Sequence, residues 1–224
     1  MLTPTQLKSL CIKYNLRPSK SFGQNYLISD APITAMLEAG EVGKEDTIIE
    51  IGPGFGILTL ALAAKAKKVI SFEIEKKLAP FWEEKIQEQK NIEIMWGDVL
   101  QEISKIKLPK KYKVIANVPY QITSRILRTF LELPNPPTCM VVMVQKEVAD
   151  RICAKAGDMS LLAVSVQYYG EPKIIKKVPK GNFWPSPKVD SAVVAIANIQ
   201  KKKNAEQFFR IVRAAFSQKR KQAW

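Results

Sequence analysis

The sequence predicts an α/β fold, a doubly wound and mostly parallel seven-stranded sheet, followed by the start of a small C-terminal helical domain. Three observations predict it. Short apolar runs that read as buried strands alternate with amphipathic stretches at helical spacing. A glycine-rich turn sits between the first such run and the helix after it. The character changes after Ile199, where a lysine run leads into a basic helix.

"TPTQLKSLCIKY" opens the chain with Thr3 as an N-cap, Pro4 at the first helical position and Gln6 completing a capping box. Leu7, Leu10, Cys11 and Tyr14 then share one helical face, and Arg17-Pro18 ends the helix. "KSFGQNYLIS" follows as a loop or short turn. "TIIEI" reads as the first buried strand, "GILTLALAAKA" as a helix and "KVISFEI" as the second strand. "KKLAPFWEEKIQEQ" carries Leu78, Phe81, Trp82 and Ile86 on one face, and Pro80 is tolerated because it falls in the first turn. "NIEIMW" and "KVIAN" are the third and fourth strands. "ITSRILRTFLEL" turns Ile122, Ile126, Leu127, Phe130 and Leu131 inward. "TCMVVMVQ" is the fifth strand and runs into a helix over residues 146–156, and "KIIKKVP" and "SAVVAIANI" form a closing pair of strands.

Composition narrows the chemistry. With 35 Lys+Arg against 21 Asp+Glu the net charge is +14, which favours a polyanionic partner, nucleic acid first. The chain has no histidine, which removes Ser-His-Asp and Cys-His catalysis and every His-ligated metal. Cys11, Cys139 and Cys153 are scattered among apolar neighbours and read as core residues in a reducing compartment; no metal site is expected. The apolar runs are too short to span a bilayer and the N-terminus has no apolar signal region, so a cytoplasmic protein is expected.

"EIGPGFG" (residues 50–56) joins the first strand to the first helix, where glycines allow a tight turn and a close approach of backbone to ligand. Glu73 ends the second strand about twenty residues further on, where an acid can accept from both ribose hydroxyls. Asp98 ends the third strand, where an acid can accept from an adenine amine. Together with Glu50 these put acids at the ends of three successive strands. A phosphate-bearing cofactor wants positive charge or bare N–H groups. This pocket is acidic and has no P-loop lysine, which suits S-adenosylmethionine, with its sulfonium and no phosphate, better than a nicotinamide dinucleotide.

The fourth strand stops at Asn117, followed by Val118, Pro119 and Tyr120. Suppose the acceptor is an adenine: its exocyclic amine is a poor nucleophile because its lone pair is delocalised into the ring. The Asn117 side-chain oxygen and a backbone carbonyl, that of Val118 or Pro119, accept its two N–H bonds, pull the nitrogen toward tetrahedral geometry and free the lone pair for attack on a methyl group. No histidine base is required, because the proton becomes acidic only after transfer. Pro119 stiffens the loop and Tyr120 offers a face for stacking. "NFWPSPKVDSAVV" adds Phe183 and Trp184 in a proline-containing loop before the last strand.

These stretches resemble the KsgA, or RsmA, family of ribosomal RNA adenine dimethyltransferases. The resemblance runs from about Arg17 to the end and rests on "KSFGQNYL", "EIGPGFG", "FEIEK", "GDVL", "NVPY", "QKEVADRI", "FWPSPKVDSAVV" and "FSQKRK", in that order. It implies a Rossmann-like class I methyltransferase domain over residues 1–199, and over residues 200–224 a basic linker and the first helix of a C-terminal helical RNA-binding domain. It implies S-adenosyl-L-methionine as donor. It also implies as substrate two adjacent adenines in a hairpin near the 3′ end of small-subunit (16S) rRNA, each dimethylated on the pre-ribosomal particle. Carried over by motif, Asn25, Leu27 and Gly52 touch the cofactor, Glu73 holds its ribose and Asp98 its adenine. Asn117 lies between cofactor and target amine, and Tyr120 and Phe183 hold the flipped base. A monomer without metal is expected. Tyr26 and Val118 stand where the family often has Phe and Leu. Family members continue past "FSQKRK" into the helical domain, whereas this sequence stops at Trp224.

Two lysine-rich stretches are candidates for phosphate contacts: Lys201, Lys202, Lys203, Arg210, Arg213 and Lys219 to 221 at the C-terminus, and Lys105, Lys107, Lys110, Lys111 and Lys113 before the fourth strand. Three other readings stay open. One is an Erm-type methylase of large-subunit rRNA. Another is a non-catalytic RNA-binding assembly factor on the same fold. The third is an NAD dehydrogenase, for which the pocket offers no histidine or lysine acid.

Overall fold

The computed structural model of the chain describes residues 1–17 and 25–217. The helix end at Pro18, the "KSFGQ" half of the first motif and Lys219 to 221 lie outside the described residues.

Helix α1 (Pro4–Lys13) begins on the expected capping box, with the Gln6 N–H donating to Thr3 Oγ1 at 3.3 Å and the Thr3 N–H donating to Gln6 Oε1 at 2.8 Å. Strand β1 is only Tyr26–Leu27, and α2 spans Asp30–Ala39. Then come β2 (Thr47–Ile51), α3 (Ile57–Ala63), β3 (Lys68–Glu73), α4 (Ala79–Glu88) and β4 (Ile92–Trp96). A short α5 (Val99–Glu102) precedes β5 (Lys113–Asn117), α6 (Thr123–Glu132), β6 (Cys139–Gln145), α7 (Lys146–Ile152) and α8 (Leu161–Tyr169). The chain continues through β7 (Glu171–Val178), β8 (Phe183–Trp184), β9 (Ser191–Ala197) and α9 (Ala205–Ser217).

Seven strands form one sheet in the order β4-β3-β2-β5-β6-β9-β7. All neighbours up to β6 pair in parallel, and β9 runs antiparallel to both β6 and β7, so the predicted mostly parallel α/β sheet is what the chain forms. Alternate side chains of the central strands feed two cores, because successive strand residues point to opposite faces. Ile48 and Ile115 join Leu7, Met36, Leu62 and Trp82 from α1 to α4. Ile49, Val114 and Ala116 join Phe130, Ile152, Val166 and Phe209 from the later helices. Full burial of both faces explains why these strands read as continuous apolar runs.

Several features differ from the sequence reading. Helices α2, α5 and α8 are additional elements, and the predicted helix over residues 146–156 ends at Ile152. The short β1 and β8, expected as loops, pair antiparallel with Leu27 opposite Phe183 and Tyr26 opposite Trp184. Asp98 lies beyond the end of β4 and caps α5 instead, its Oδ1 accepting the Leu100 N–H at 3.0 Å. The C-terminal α9 docks on α8: Phe208 stacks on Tyr168 with ring centroids 4.0 Å apart, and Phe209 packs between Tyr168 and Tyr169.

Candidate active site

Strand order reverses between β2 and β5, and the turns that leave the carboxyl ends of β2, β3, β4 and β5 there enclose a cavity. Asn25, Leu27, Gly52, Glu73, Asp98 and Asn117 all line it. So do Glu50, Ile74 and Gln121. Ile74 is 51 % exposed, an apolar rim residue next to Glu73 whose only sequence signal is an isoleucine placed past the end of a buried strand.

The glycine turn is shaped for a ligand. Gly52 has φ +72°, and a Cβ there would meet no protein atom within 4 Å. The same Cβ on Gly54, at φ +53°, would press on the Tyr26 ring at 3.0 Å, so that glycine serves packing instead. Glu73 holds the turn in place: its Oε2 accepts the Gly54 N–H at 3.0 Å and its Oε1 accepts the Glu75 N–H at 2.8 Å. Burial pushes its carboxyl above the ordinary range, and those N–H groups pull it back.

Glu50 lies deeper, at 1 % exposure, where its Oε2 accepts the Ser71 hydroxyl at 2.6 Å. Burial pushes this carboxyl up to about 7, against the pull of Ser71 and Thr59 and with a push from Glu73. Three carboxyl groups therefore face one cavity, and among the described residues no lysine or arginine lines it. A donor set of this kind fits an adenosine-linked cation without phosphates, and it opposes a pyrophosphate.

Asn117 ends β5 at the cavity rim. Its Nδ2 donates to the Asn25 carbonyl at 3.3 Å, which turns the amide so that Oδ1 is its acceptor end. The two backbone carbonyls left open by the sequence differ in the loop after it. The Pro119 carbonyl already accepts the Ile122 N–H at 3.2 Å and the Thr123 hydroxyl at 3.3 Å, whereas no hydrogen bond from the described residues is seen at the Val118 carbonyl. Tyr120 is half-buried and its hydroxyl lies 2.7 Å from Ser191 Oγ. Phe183 is 2 % exposed, packed in the core beneath β1, so no face of its ring is open in this arrangement; Trp184 beside it is half-buried.

The two basic stretches separate. Lys113 is not available to phosphate, because it pairs with Asp46 at 2.8 Å and donates to the Glu41 carbonyl. It begins β5, so the stretch around it lies at the amino-terminal edge of the sheet, opposite the cavity. Lys201, Lys203, Arg210 and Arg213 are exposed on the linker and α9. None of the helices in the described residues is long and apolar enough to cross a membrane.

Comparison with known proteins agrees with this geometry. The ribosomal RNA adenine dimethylase family matches residues 15–223. A ribosomal RNA small subunit methyltransferase A from Dehalococcoides mccartyi is 42 % identical over 224 residues, 96 % of this chain and 76 % of that protein. A dimethyladenosine transferase from Plasmodium falciparum superposes with a TM-score of 0.77 at 30 % identity, over 87 % of this chain and 72 % of that one. The 23S rRNA methyltransferase ErmE superposes with a TM-score of 0.74 at 30 % identity, over 86 % of this chain and 79 % of that one.

Proposed function

The chain belongs to the ribosomal RNA adenine dimethylase family, and we propose that its cavity holds S-adenosylmethionine while Asn117 presents the exocyclic amine of an rRNA adenine for methylation. The reaction is dimethylation of two adjacent adenines in a hairpin near the 3′ end of small-subunit rRNA, during ribosome biogenesis. The observation that carries this reading is the position of Asn117, an oriented amide on the rim of a cavity lined by three carboxyl groups and, among the described residues, no cation.

When bound, S-adenosylmethionine supplies a methyl group activated by its sulfonium. Glu73 accepts from the ribose hydroxyls, Asp98 accepts from the adenine amine, and the bare backbone at Gly52 lets the cofactor approach. Asn25 and Leu27 close the cavity from the β1 side. Asn117 Oδ1 and the Val118 carbonyl accept the two N–H bonds of the target amine, so the nitrogen lone pair is released from the ring and aimed. The proton left on nitrogen after transfer is acidic and passes to water. Oriented acceptors of this kind are worth roughly 100- to 1000-fold in rate.

The base leaves its stack at a cost of about a few kcal/mol, part of which stacking returns. Tyr120 holds the extruded ring, while Phe183, buried beneath β1, offers it no open face in this arrangement. The basic linker and α9 grip RNA phosphates. In this reading the chain works as a cytoplasmic monomer, residues 1–199 form the catalytic domain and residues 200–224 begin the RNA-docking domain.

The test is methyl transfer from labelled S-adenosylmethionine to small subunits that lack the modification, with nucleosides analysed by mass spectrometry. Dimethyladenosine in small-subunit rRNA, absent with Asn117→Ala, is the expected result. Product on naked large-subunit rRNA instead would assign the chain to Erm-type chemistry. Cofactor binding without product on either RNA would favour a non-catalytic assembly role.

A further inference from the structure

Three hydrogen bonds converge on two adjacent residues at the start of β9. The Asp190 carbonyl accepts the Lys146 N–H at 2.9 Å, which ties down the junction of β6 and α7. The Asp190 carboxylate accepts the Lys180 N–H at 2.9 Å, which ties down the turn after β7. Ser191 Oγ lies 2.7 Å from the Tyr120 hydroxyl, which ties down the loop after β5. Ser191 is fully buried and in register with Gln145 of β6 and Val178 of β7, so its own position is set by paired backbone on both sides.

Tyr120 lacks such backing. It sits in a single turn of 3-10 helix over Tyr120–Ile122, between the cavity-lining residues Pro119 and Gln121. A half-buried tyrosine held only at its backbone swings about its side-chain torsions. Fixing the far end of the ring removes that freedom before substrate arrives, and pre-organisation of this sort is what a stacking surface for an extruded base requires.

We infer that Ser191 is a positioning residue for methyl transfer, whose buried hydroxyl pins the Tyr120 hydroxyl and so holds the ring ready for the target base. The inference rests on the base-holding role proposed for Tyr120. Ser191 touches neither cofactor nor adenine and acts through Tyr120. The hydroxyl pair also links the turn that follows Asn117 directly to the start of β9, the strand that follows Phe183 and Trp184. The Ser in "KVDSAVV" thereby has a task that neither strand propensity nor packing demands.

The experiment is single-turnover methyl transfer with the full chain on unmodified small subunits, comparing wild type with Ser191→Ala, Tyr120→Phe, the double variant and Tyr120→Ala. Cofactor affinity and melting temperature are measured on the same samples. Ser191→Ala and Tyr120→Phe should each slow the step about tenfold, and the double variant should also be about tenfold slow, since either change breaks the same bond. Cofactor affinity should stay at the wild-type value. A purely structural serine would instead lower the melting temperature and leave the rate of folded enzyme unchanged, which overturns the inference. Losses that multiply to about a hundredfold in the double variant overturn it too. Should Ser191→Ala fold poorly, Tyr120→Phe decides alone because it leaves β9 intact, and a wild-type rate for it ends the proposal. Tyr120→Ala separates the two readings: if it is as fast as wild type, the base-holding role itself fails, whereas a slow Tyr120→Ala beside a fast Ser191→Ala removes only the pin.

Discussion

Replacing Glu50 by glutamine should make the protein more stable at pH 8 than at pH 5, relative to wild type. Glu50 is 1 % exposed, and burial raises its carboxyl from 4.5 to about 7. Each tenfold in proton affinity is worth about 1.4 kcal/mol, so ionising Glu50 inside the fold costs roughly 3 kcal/mol. The sign follows from proton counting. Below pH 4.5 the group is protonated in both folded and unfolded chains and carries no penalty. Between 4.5 and about 7 the folded chain binds the extra proton, so stability falls as pH rises, and above that window the loss is complete. Glutamine keeps an oxygen for the Ser71 hydroxyl but adds a buried N–H pair, a pH-independent loss of roughly 1–2 kcal/mol. The informative quantity is therefore the change in the variant's advantage between the two pH values, roughly 3 kcal/mol in favour of pH 8, or several degrees in melting temperature. Urea unfolding of both proteins at both pH values measures it. A stability difference between variant and wild type that is the same at pH 5 and pH 8 would refute the reasoning, since it would mean that Glu50 ionises in the fold as easily as in the unfolded chain.

Gly52→Ala should fold with a backbone strain of about 1–2 kcal/mol, yet lose S-adenosylmethionine affinity by more than about tenfold, because its φ is +72° and the new methyl would point into empty cavity. Calorimetry on a sample with wild-type circular dichroism checks this, and unchanged affinity would remove Gly52 from the site. Glu73→Gln puts an amide N–H against one of the two backbone donors that Glu73 now accepts; affinity should fall roughly 10- to 100-fold, matching the loss of hydrogen bonds to a charged group, and retained affinity would assign the acid to the turn alone. Phe209→Ala removes the ring wedged against Tyr168 and Tyr169. A packing loss of about 3–5 kcal/mol exceeds what an isolated short helix supplies. Amides of residues 205–217 should then lose hydrogen-exchange protection while the sheet keeps its own; uniform protection would show that α9 does not depend on that ring.

The parts of this fold that were readable in advance are those where one force dominates. "TIIEI" and "KVIAN" are strands with the predicted bounds because burial on both faces leaves no alternative for short β-branched runs flanked by turn residues. Helix α8 escaped notice because "LLAVSVQYY" is apolar nearly all round and so lacks the periodic signal that marks an amphipathic helix. The pairing of β1 with β8 joins residues far apart in the chain, and two-residue strands carry no pattern of their own. The positions of Glu73 and Asn117 on the cavity were legible because a polar group at the end of an apolar strand is conspicuous. The burial of Phe183 was not, since its depth depends on Leu27 opposite it. Lys113 looked like part of a basic patch, and only the fold brings Asp46 to it.

The clasp between Tyr26–Leu27 and Phe183–Trp184 ties the cavity wall to the segment that leads into β9. Dimethylation of neighbouring bases requires spent donor to be exchanged for fresh donor between transfers. Tyr26 and Leu27 line the cavity, so a shift of theirs on donor exchange would be carried to Phe183 and Trp184 through paired backbone. If the clasp couples donor to target base, reciprocity makes each change the other's affinity by the same factor. Such coupling would be read as equal fold-changes in donor affinity when RNA is added and in RNA affinity when donor is added.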